Sequence, residues 1–344
     1  MKYTKVIIVT LFCIGFVLGS ISLTFGQGGA PPYAGLNYQK IALLDWYTAN
    51  RTASFAVGSY PVGVAFDGAN IWVANSGGGT VTKLRASDGQ VLSPPGGYQI
   101  PGGFAYGVAF DGANVWVADW ADDTVVKLRA SDGQVLSPGY GYNVGQAPHW
   151  LAFDGTNIWV TNNIDGTVTK LRAADGTKLG TFNVGSAPEG VAFDGANIWV
   201  ANHGSTTVTK LRTSDGKLQG TFNVGIQPYG VAFDGANIWV TIEGTVSGGP
   251  GNLIKLRASD GTPLVTSIWS GNVSSQGVAF DGANIWVANT RTEPPFNGNS
   301  VAKVRASDGA YLGSFSVGSS SPYGVAFDGA NIWVTGCGDG VCKF

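Results

Sequence analysis

The sequence is poor in charge. Charged residues make up 12% of the 344 positions, and the formal net charge is −2. A surface that follows nucleic acid needs a stripe of Lys and Arg, so this composition argues against a nucleic-acid partner. Glycine is abundant instead, with 53 residues and no Gly-X-Y period. The glycines stand between apolar runs, which indicates turns.

Cysteine is scarce as well, with three residues. Cys13 lies in an apolar N-terminal stretch without the small-residue context of a lipid anchor. Cys337 and Cys342 bracket Gly-Asp-Gly near the C-terminus, a spacing that predicts a disulfide in an oxidising compartment. A metal held by these two thiols alone is the poorer alternative.

A targeting signal occupies the first residues. Lys2 and Lys5 precede an apolar stretch from Val6 to about Leu18, and small residues follow. This layout predicts a signal peptide over residues 1–26, cleaved after Ser22 or Gly26. The alternative is an uncleaved anchor, which would bring a membrane contact, although a spanning helix needs ~20 apolar residues. Both interpretations place the remaining chain outside the cytoplasm: secreted, periplasmic or on the cell surface.

One motif is repeated seven times. The string Phe-Asp-Gly-(Ala/Thr)-Asn-(Ile/Val)-Trp-Val recurs at intervals of 40 to 47 residues, and six copies are followed by a string close to Thr-Val-Thr-Lys-Leu-Arg-Ala-Ser-Asp-Gly. The copies start at Phe66, Phe110, Phe153, Phe193, Phe233, Phe280 and Phe327. None shows helical periodicity. Four short strands in units of this length predict a seven-bladed β-propeller.

The fourth copy illustrates the predicted blade. Its four strands, A to D, are expected at Gly190–Phe193, Asn197–Asn202, Thr207–Thr213 and Leu218–Val224. The Asp-Gly pairs between strands A and B and between strands C and D predict two-residue type I′ turns.

The two ends of the repeat region predict closure of the ring. The last copy stops at Phe344, near the end of its third strand, while Ser54 to Gly58 matches the missing fourth strand. We therefore expect residues 53–344 to form one propeller, a monomer whose last blade is completed by the N-terminal strand. Residues 27–52 are expected to form a linker with a short helix from Tyr38 to Ala49.

The repeats resemble the YVTN-type propeller family of bacteria and archaea, with Ile-Trp-Val-Ala-Asn where that family has a Val-Tyr-Val-Thr-Asn-like strand. The resemblance covers about Ala53 to Phe344 and implies an extracytoplasmic propeller. More distantly, the chain resembles virginiamycin B (streptogramin) lyase propellers, which implies an enzyme that uses Mg²⁺ with His and Glu residues on one face.

Positions shared by all copies are expected to be structural. The strand B Trp is expected to separate neighbouring blades rather than to form a cofactor platform. Each blade carries about as many Asp as basic residues, so the strand C Lys and Arg, such as Lys83 and Arg85, are expected to pair within their blade or cap its turns. The tryptophans are Trp72, Trp116, Trp159, Trp199, Trp239, Trp286 and Trp333.

The variable positions fall on one face. The A–B and C–D turns are nearly uniform, whereas the B–C and D–A loops differ between copies, and function is expected on such loops. Besides the rim residues, the B–C loops carry Asp119, Asp122, Asp123, Asn163, Asp165, Arg291 and Glu293. The predicted ligand-binding rim comprises Tyr106, Trp120, His149, Trp150, Glu189, His203, Tyr229, Glu243, Gln276 and Tyr323.

Three functions follow from these observations. The favoured one is a binding or interaction scaffold for a protein, peptide or glycan, with no cofactor and no catalytic residue. In the alternative, His149, Glu189, His203 and Glu243 hold a divalent metal such as Mg²⁺ and supply a general base, as in a lyase or hydrolase. The third is a structural surface-layer element without a small ligand.

Overall fold

A computed structural model of the chain describes residues 53–243, 251–265, 273–292, 299–318 and 321–344. Within those ranges every regular element is a β-strand, and no helix is long and apolar enough to cross a membrane. The expected signal peptide and linker helix lie outside the described residues.

Twenty-eight strands form seven antiparallel sheets of four strands each. The first strand is β1 (Ala53–Ala56). Blade 1 contains β2 (Pro61–Phe66), β3 (Asn70–Asn75), β4 (Thr80–Arg85) and β5 (Tyr98–Gln99). Blade 2 contains β6 (Ala105–Phe110), β7 (Asn114–Asp119), β8 (Thr124–Arg129) and β9 (Tyr142–Asn143). Blade 3 contains β10 (Pro148–Phe153), β11 (Asn157–Asn162), β12 (Thr167–Arg172) and β13 (Lys178–Asn183).

The remaining blades repeat this order. Blade 4 contains β14 (Pro188–Phe193), β15 (Asn197–Asn202), β16 (Thr207–Arg212) and β17 (Leu218–Asn223). Blade 5 contains β18 (Pro228–Phe233), β19 (Asn237–Ile242), β20 (Asn252–Arg257) and β21 (Pro263–Val265). Blade 6 contains β22 (Val273–Phe280), β23 (Asn284–Thr292), β24 (Ser300–Arg305) and β25 (Tyr311–Ser316). Blade 7 contains β26 (Val325–Phe327), β27 (Ile332–Thr335) and β28 (Gly340–Lys343).

The predicted closure is confirmed. Strand β1 pairs antiparallel with β28, in a register that places Ala53 opposite Lys343 and Ala56 opposite Gly340. Phe55 lies with its ring centroid 5.5 Å from that of Trp333. Strand β1 therefore supplies the fourth strand of blade 7, as the repeat pattern predicts. The structure also joins Cys337 to Cys342 in a disulfide beside this sheet.

The A–B turns differ from the predicted type I′ hairpins. In blade 4, Gly195 has a positive φ of 96° but Asp194 does not. The Asp194 carboxylate instead accepts hydrogen bonds from the backbone N–H groups of Ala196 and Asn197 and from the indole of Trp199. The C–D turn also differs, because Gly216 N–H closes a longer turn onto the Arg212 carbonyl. The Asp of each motif is thus a cap rather than a turn residue with positive φ.

Each strand B Trp lies between two blades, as a spacer requires. Trp199 is fully buried and packs in one apolar cluster with Ile238 and Val240 of blade 5. Its indole donates to Asp194 at 2.7 Å, and the Lys210 ammonium lies 4.9 Å from the ring centre. These contacts combine apolar burial with a cation–π interaction, so the Trp fixes the spacing of neighbouring blades.

The strand C cations divide into two roles, only one of which was predicted. Arg212 pairs with Asp215 in its own blade, and both side chains are about half exposed, so the pair adds little stability. Lys210 instead donates to the Ala258 carbonyl of the next blade at 2.7 Å. The prediction of pairing within the blade is therefore wrong for this Lys, because its long side chain crosses the Trp ring and reaches the next blade.

Candidate functional site

Two concentric rings of side chains surround one mouth of the central channel. The inner ring holds the residues that precede the strand A glycine. A Cβ placed on Gly107 would collide with the His149 carbonyl, and one placed on Gly190 with the Tyr229 carbonyl. Only glycine allows neighbouring A strands to approach this closely. The inner ring consists of Val62, Tyr106, His149, Glu189, Tyr229, Gln276 and Tyr323.

The outer ring is formed by the first residue of each B–C loop. In blades 1 to 5 its backbone N–H donates to a carbonyl of the preceding D–A loop, as in the bond of 3.0 Å from His203 to Ala187. This bond holds the two variable loops of a blade together. The outer ring residues of blades 1 to 5 are Ser76, Trp120, Asn163, His203 and Glu243, and the equivalent residue of blade 6, Thr290, lies within β23.

His149 and Glu189 form a buried pair across the boundary between blades 3 and 4. His149 Nδ1 lies 2.7 Å from Glu189 Oε2, and the two side chains are 12% and 7% exposed. Asn163 donates to the other carboxylate oxygen at 2.9 Å. Tyr106 stacks on the imidazole, with ring centroids 4.5 Å apart. The imidazole is thus fixed both in orientation and in the nitrogen that faces the carboxylate.

A second pair crosses the boundary between blades 4 and 5. His203 Nε2 lies 2.7 Å from Glu243 Oε2. The other oxygen of Glu243 accepts bonds from Ser274 at 2.8 Å and from Gln276 at 3.1 Å. The hydrogen bond to Glu243 raises the pKa of His203 against the effect of burial, and the same bond lowers the pKa of Glu243. The pair therefore favours its ionised form.

Tyrosines from opposite blades meet at the mouth. The hydroxyls of Tyr106 in blade 2 and Tyr229 in blade 5 interact with each other. Burial, with the Glu189 carboxylate adding to it, raises the pKa of both phenols above the ordinary value. Both phenols consequently stay neutral and serve as hydrogen-bonding groups at neutral pH.

Trp150 follows His149 and stands where the other six blades have glycine. Its ring contacts Tyr106 edge-on at 5.9 Å and lines the central channel. Its backbone N–H donates to Thr161 at 3.0 Å. The channel it faces has a volume of about 170 Å³.

Blade 2 presents an exposed aromatic pair on the same face. Phe104 and Trp120 lie 5.8 Å apart, and their side chains are 47% and 41% exposed. The buried Asp119 carboxylate accepts a bond of 2.7 Å from Gly102 N–H and so fixes the loop that carries Phe104. Burial raises the pKa of Asp119. In this D–A loop the residue with a positive φ is Gly103, whereas in the D–A loop before blade 1 it is Tyr60.

Nine of the ten predicted rim residues occupy the two rings. The tenth, Trp150, directly follows the inner-ring residue His149 in the sequence. The four residues of the metal hypothesis form two separate His–Glu pairs rather than one convergent set. Among the described residues no three His, Cys, Asp or Glu side chains could together hold a metal ion. The side chains of Arg291 and Glu293 lie outside the described part of the chain.

Sequence reasoning missed two contributors. The first is Ser274 of blade 6, which donates to Glu243. The next residue, Ser275, replaces the Pro or Ala that begins strand A in blades 1 to 5. Phe104 was missed because, in the D–A loops, only the residue that precedes the strand A glycine was selected as a candidate. In both blades the residue at the start of strand A, Ala105 or Ser275, is not the Pro found in blades 1, 3, 4 and 5. This difference could have indicated the two loops from the sequence, because a residue other than Pro is not restricted to a φ near −65°.

No family model matches the sequence, and no curated protein matches it. Solved structures do. Virginiamycin B lyase from Staphylococcus aureus, in a catalytically inactive variant with quinupristin, shares 17% identity with a TM-score of 0.67 over 85% of this chain and 98% of that chain. The likeness shows the propeller fold. The membership of the YVTN-type family stays a prediction.

Two other structures support the same fold. The computationally designed Ika8 protein matches with a TM-score of 0.62 and 17% identity, over 82% of both chains. Hydrazine synthase from Kuenenia stuttgartiensis matches with a TM-score of 0.59 and 16% identity, over 68% of this chain and 74% of that chain. A lyase, a designed protein and a synthase thus share this fold. The fold alone therefore does not indicate a function, which has to be inferred from the side chains of the site.

Proposed function

We propose that this chain is an extracytoplasmic binding protein that recognises a peptide or glycan of a partner with its B–C and D–A loops. One observation carries the proposal: this face exposes five large apolar side chains from four blades. They are Tyr60, Phe104, Trp120, Ile164 and Ile226. Exposed aromatic and aliphatic groups on a rigid scaffold are typical of interaction sites.

The opposite face offers a contrast that supports this choice. Its turns repeat the same residues, and their polar groups are satisfied internally, as in Asp194 with Trp199 and Arg212 with Asp215. The two rings of the variable face contain no Lys or Arg among the residues named above. A neutral or cationic ligand therefore fits this face better than an anionic one.

The proposal is tested with the full chain on defined glycan and peptide arrays. We expect a set of related ligands to bind, and Phe104→Ala with Trp120→Ala to weaken that binding at least about tenfold, since central aromatic contacts dominate such interfaces. The matched control is Leu179→Ser with Leu218→Ser, two exposed residues on outer strands, which should leave binding unchanged. Silent arrays, or binding that survives the aromatic substitutions, would contradict the proposal.

The geometry of His149 favours a second candidate, acid–base catalysis by a lyase or hydrolase. When Nδ1–H donates to Glu189, Nε2 is left as a base, and Asn163 holds the carboxylate in place. A base oriented by a buried carboxylate is a recurrent catalytic arrangement. The donor set does not fit one shared metal ion, because each carboxylate is already bound to its own His, so the step is derived without a metal.

Quinupristin, the ligand named with the S. aureus lyase, provides the assay for this second candidate. If the candidate holds, the protein consumes quinupristin, and His149→Ala lowers the rate at least about 100-fold, the usual contribution of a general base. His203→Ala is the comparison, since its partner Glu243 is more exposed than Glu189. Lack of turnover by the unmodified protein would contradict catalysis on this compound. Turnover that survives replacement of both histidines would contradict the role of His149 as the base. Neither result would bear on the binding proposal.

A further inference from the structure

Strand β7 ends in a buried carboxyl group, that of Asp119, whose two oxygens are treated unequally. The side chain has no exposed surface. Its Oδ2 accepts the bond of 2.7 Å from Gly102 N–H. Its Oδ1 is also buried and has no hydrogen-bond partner among the described residues. A buried, ionised oxygen without a donor is unfavourable, and native proteins contain few of them.

Other blades show which side chain this position is built for. Blades 1, 3 and 4 have Asn there. The oxygen of Asn75 accepts the Gly58 N–H at 3.0 Å. Its amide nitrogen donates to the hydroxyls of Thr80 and Thr82 at 3.1 and 2.9 Å. The same three bonds are made by Asn162 and Asn202.

Blade 2 differs from this pattern in a second residue. Val126 stands where blade 1 has Thr82, so one of the two hydroxyls is missing. The remaining one, Thr124, lies opposite Asp119 in the strand pair and gives its hydrogen to the Tyr140 carbonyl at 3.0 Å. Because Oδ2 takes the role of the Asn oxygen, Oδ1 stands in the place of the Asn amide nitrogen. An ionised Oδ1 there meets an acceptor, whereas a protonated Oδ1 has a hydrogen to donate.

The surrounding charges favour the protonated form. Burial raises the pKa of Asp119, the N–H of Gly102 lowers it, and the Asp122 carboxylate raises it again, so that the pKa lies above its ordinary value. The other charged groups of the adjoining B–C loop and of β8, Asp123 and Lys127, are bonded to backbone groups at blade 3. The charge that acts on Asp119 is therefore of its own sign.

The same carboxyl group is linked to the exposed aromatic pair. It holds residues 100–104, a segment without titratable side chains, through the N–H of Gly102. At the end of this segment the Phe104 carbonyl accepts the N–H of Trp120 at 3.0 Å. A change of charge at Asp119 therefore acts on the segment that carries Phe104 and on the residue next to Trp120.

We propose that Asp119 takes up a proton at Oδ1 in mildly acidic medium, donates it in a hydrogen bond to Thr124 Oγ1, and thereby fastens the loop that carries Phe104. At higher pH the ionised carboxyl group loosens the same loop. The device needs no loop-face ligand. If the binding proposal also holds, binding through Phe104 and Trp120 becomes tighter in acid.

The direction of the effect distinguishes Asp119 from the capping Asp residues. A carboxyl group whose pKa is raised on folding binds its proton more tightly in the folded state, so this loop gains stability as the pH falls from neutral toward about 4. The hydrogen bonds to the capping carboxylates, such as Asp234, lower their pKa and therefore act in the opposite direction at lower pH.

The test follows ¹³C-labelled Asp carboxyl signals and amide hydrogen exchange of the full chain. The Asp119 signal, assigned by its loss in Asp119→Asn, should titrate above the ordinary value of about 3.9. The protection of the Gly102 amide, relative to its intrinsic exchange rate, should rise at least about threefold between about pH 7 and about pH 4.5, as expected when a buried group gains a hydrogen bond. Gly58 is the internal control, because its equivalent bond goes to the amide of Asn75, and its protection should stay constant.

Two variants separate the outcomes. Asp119→Asn introduces the residue of blades 1, 3 and 4 and should make the protection of Gly102 independent of pH. Val126→Thr restores the missing hydroxyl, which can donate to the ionised Oδ1, and should move the titration of Asp119 to lower pH. Titration of Asp119 in the ordinary range, or an unchanged pH dependence of Gly102 in Asp119→Asn, would overturn the proposal. Neither readout uses a ligand, so silent glycan and peptide arrays would not affect this result.

Discussion

Deleting residues 53–58 is expected to lower the melting temperature by more than about 10 °C. The deletion removes strand β1, its ladder to β28 and the ring of Phe55 against Trp333. Phe55 is partly buried, and loss of a fully buried Phe costs about 3–5 kcal/mol, so the lost ladder and the lost ring together remove several kcal/mol. Each kcal/mol shifts the melting point of a domain this large by about 2–4 °C. Differential scanning calorimetry measures the change directly.

Phe55→Tyr is the matched control for the deletion. In blades 1 and 2 a Tyr occupies the equivalent position, where Tyr98 and Tyr142 contact Trp72 and Trp116. The hydroxyl is therefore compatible with this packing, and the Tyr variant should melt within a few degrees of the unmodified protein. Phe55→Ala should fall between the two. A melt that the deletion leaves unchanged would refute the closure of the ring by β1.

The second large effect is expected from Asp234→Ala. This carboxylate accepts bonds from Trp239 Nε1, from the Asn237 side chain and from the N–H groups of Ala236 and Asn237. Trp239 is fully buried, so its indole would lose its partner without gaining water. We expect a loss of at least about 3 kcal/mol in the free energy of unfolding, measured by urea titration.

Asp260→Ala in the same blade is the control for this substitution. Asp260 lies in the exposed C–D turn, pairs with Arg257 at 2.9 Å and is about half exposed. Its removal should therefore lower the stability much less than Asp234→Ala does. If the two variants were equally stable, the capping role assigned to the A–B Asp would be wrong.

The same carboxylates make stability depend on acid pH. Burial acts to raise the pKa of Asp234, but the hydrogen bonds from Trp239, Ala236 and Asn237 outweigh it and lower the pKa below 3.8. A carboxyl whose pKa is lowered on folding stabilises the protein above its unfolded pKa and loses that contribution as pH falls through the folded value. The contribution of these carboxylates should therefore be level near neutral pH and fall below about pH 4, and the fall should be less steep in Asp234→Ala.

Comparison of the seven copies within one sequence was sufficient to predict the blades and their closure. Strand B of blade 4 was predicted at its observed bounds, Asn197–Asn202, because its apolar residues and its turn signals agree. The Asp-Gly turns were misassigned, since Asp-Gly is equally suited to type I′ geometry and to a carboxylate cap. Only the position of the Trp199 indole decides between them.

The site was predictable as a set of positions but not as a set of bonds. His149 and Glu189 lie 40 residues apart, one repeat, so equivalent positions in adjacent blades were expected to be neighbours. The contact of Glu243 with Ser274 depends on the different start of strand β22, which no repeat comparison fixes. Side-chain rotamers at the variable loops determine such bonds, and the repeat pattern contains no information about them.

The bond from a strand C Lys to the next blade, present in six of the seven blades, has a consequence for how such a ring can arise. Lys83 donates to Ala130, and Lys343 in the last blade donates to Ala86 in the first. Copies 1 to 5 thus carry both halves of a head-to-tail interface, so a tandem duplication of such a blade supplies a new unit that already fits its neighbours. Interfaces of this type either close by rotation or continue without limit. Pairing of β1 with β28 and the bond from Lys343 to Ala86 together close the ring after seven units, whereas an array without such closure would leave its terminal blades open to association.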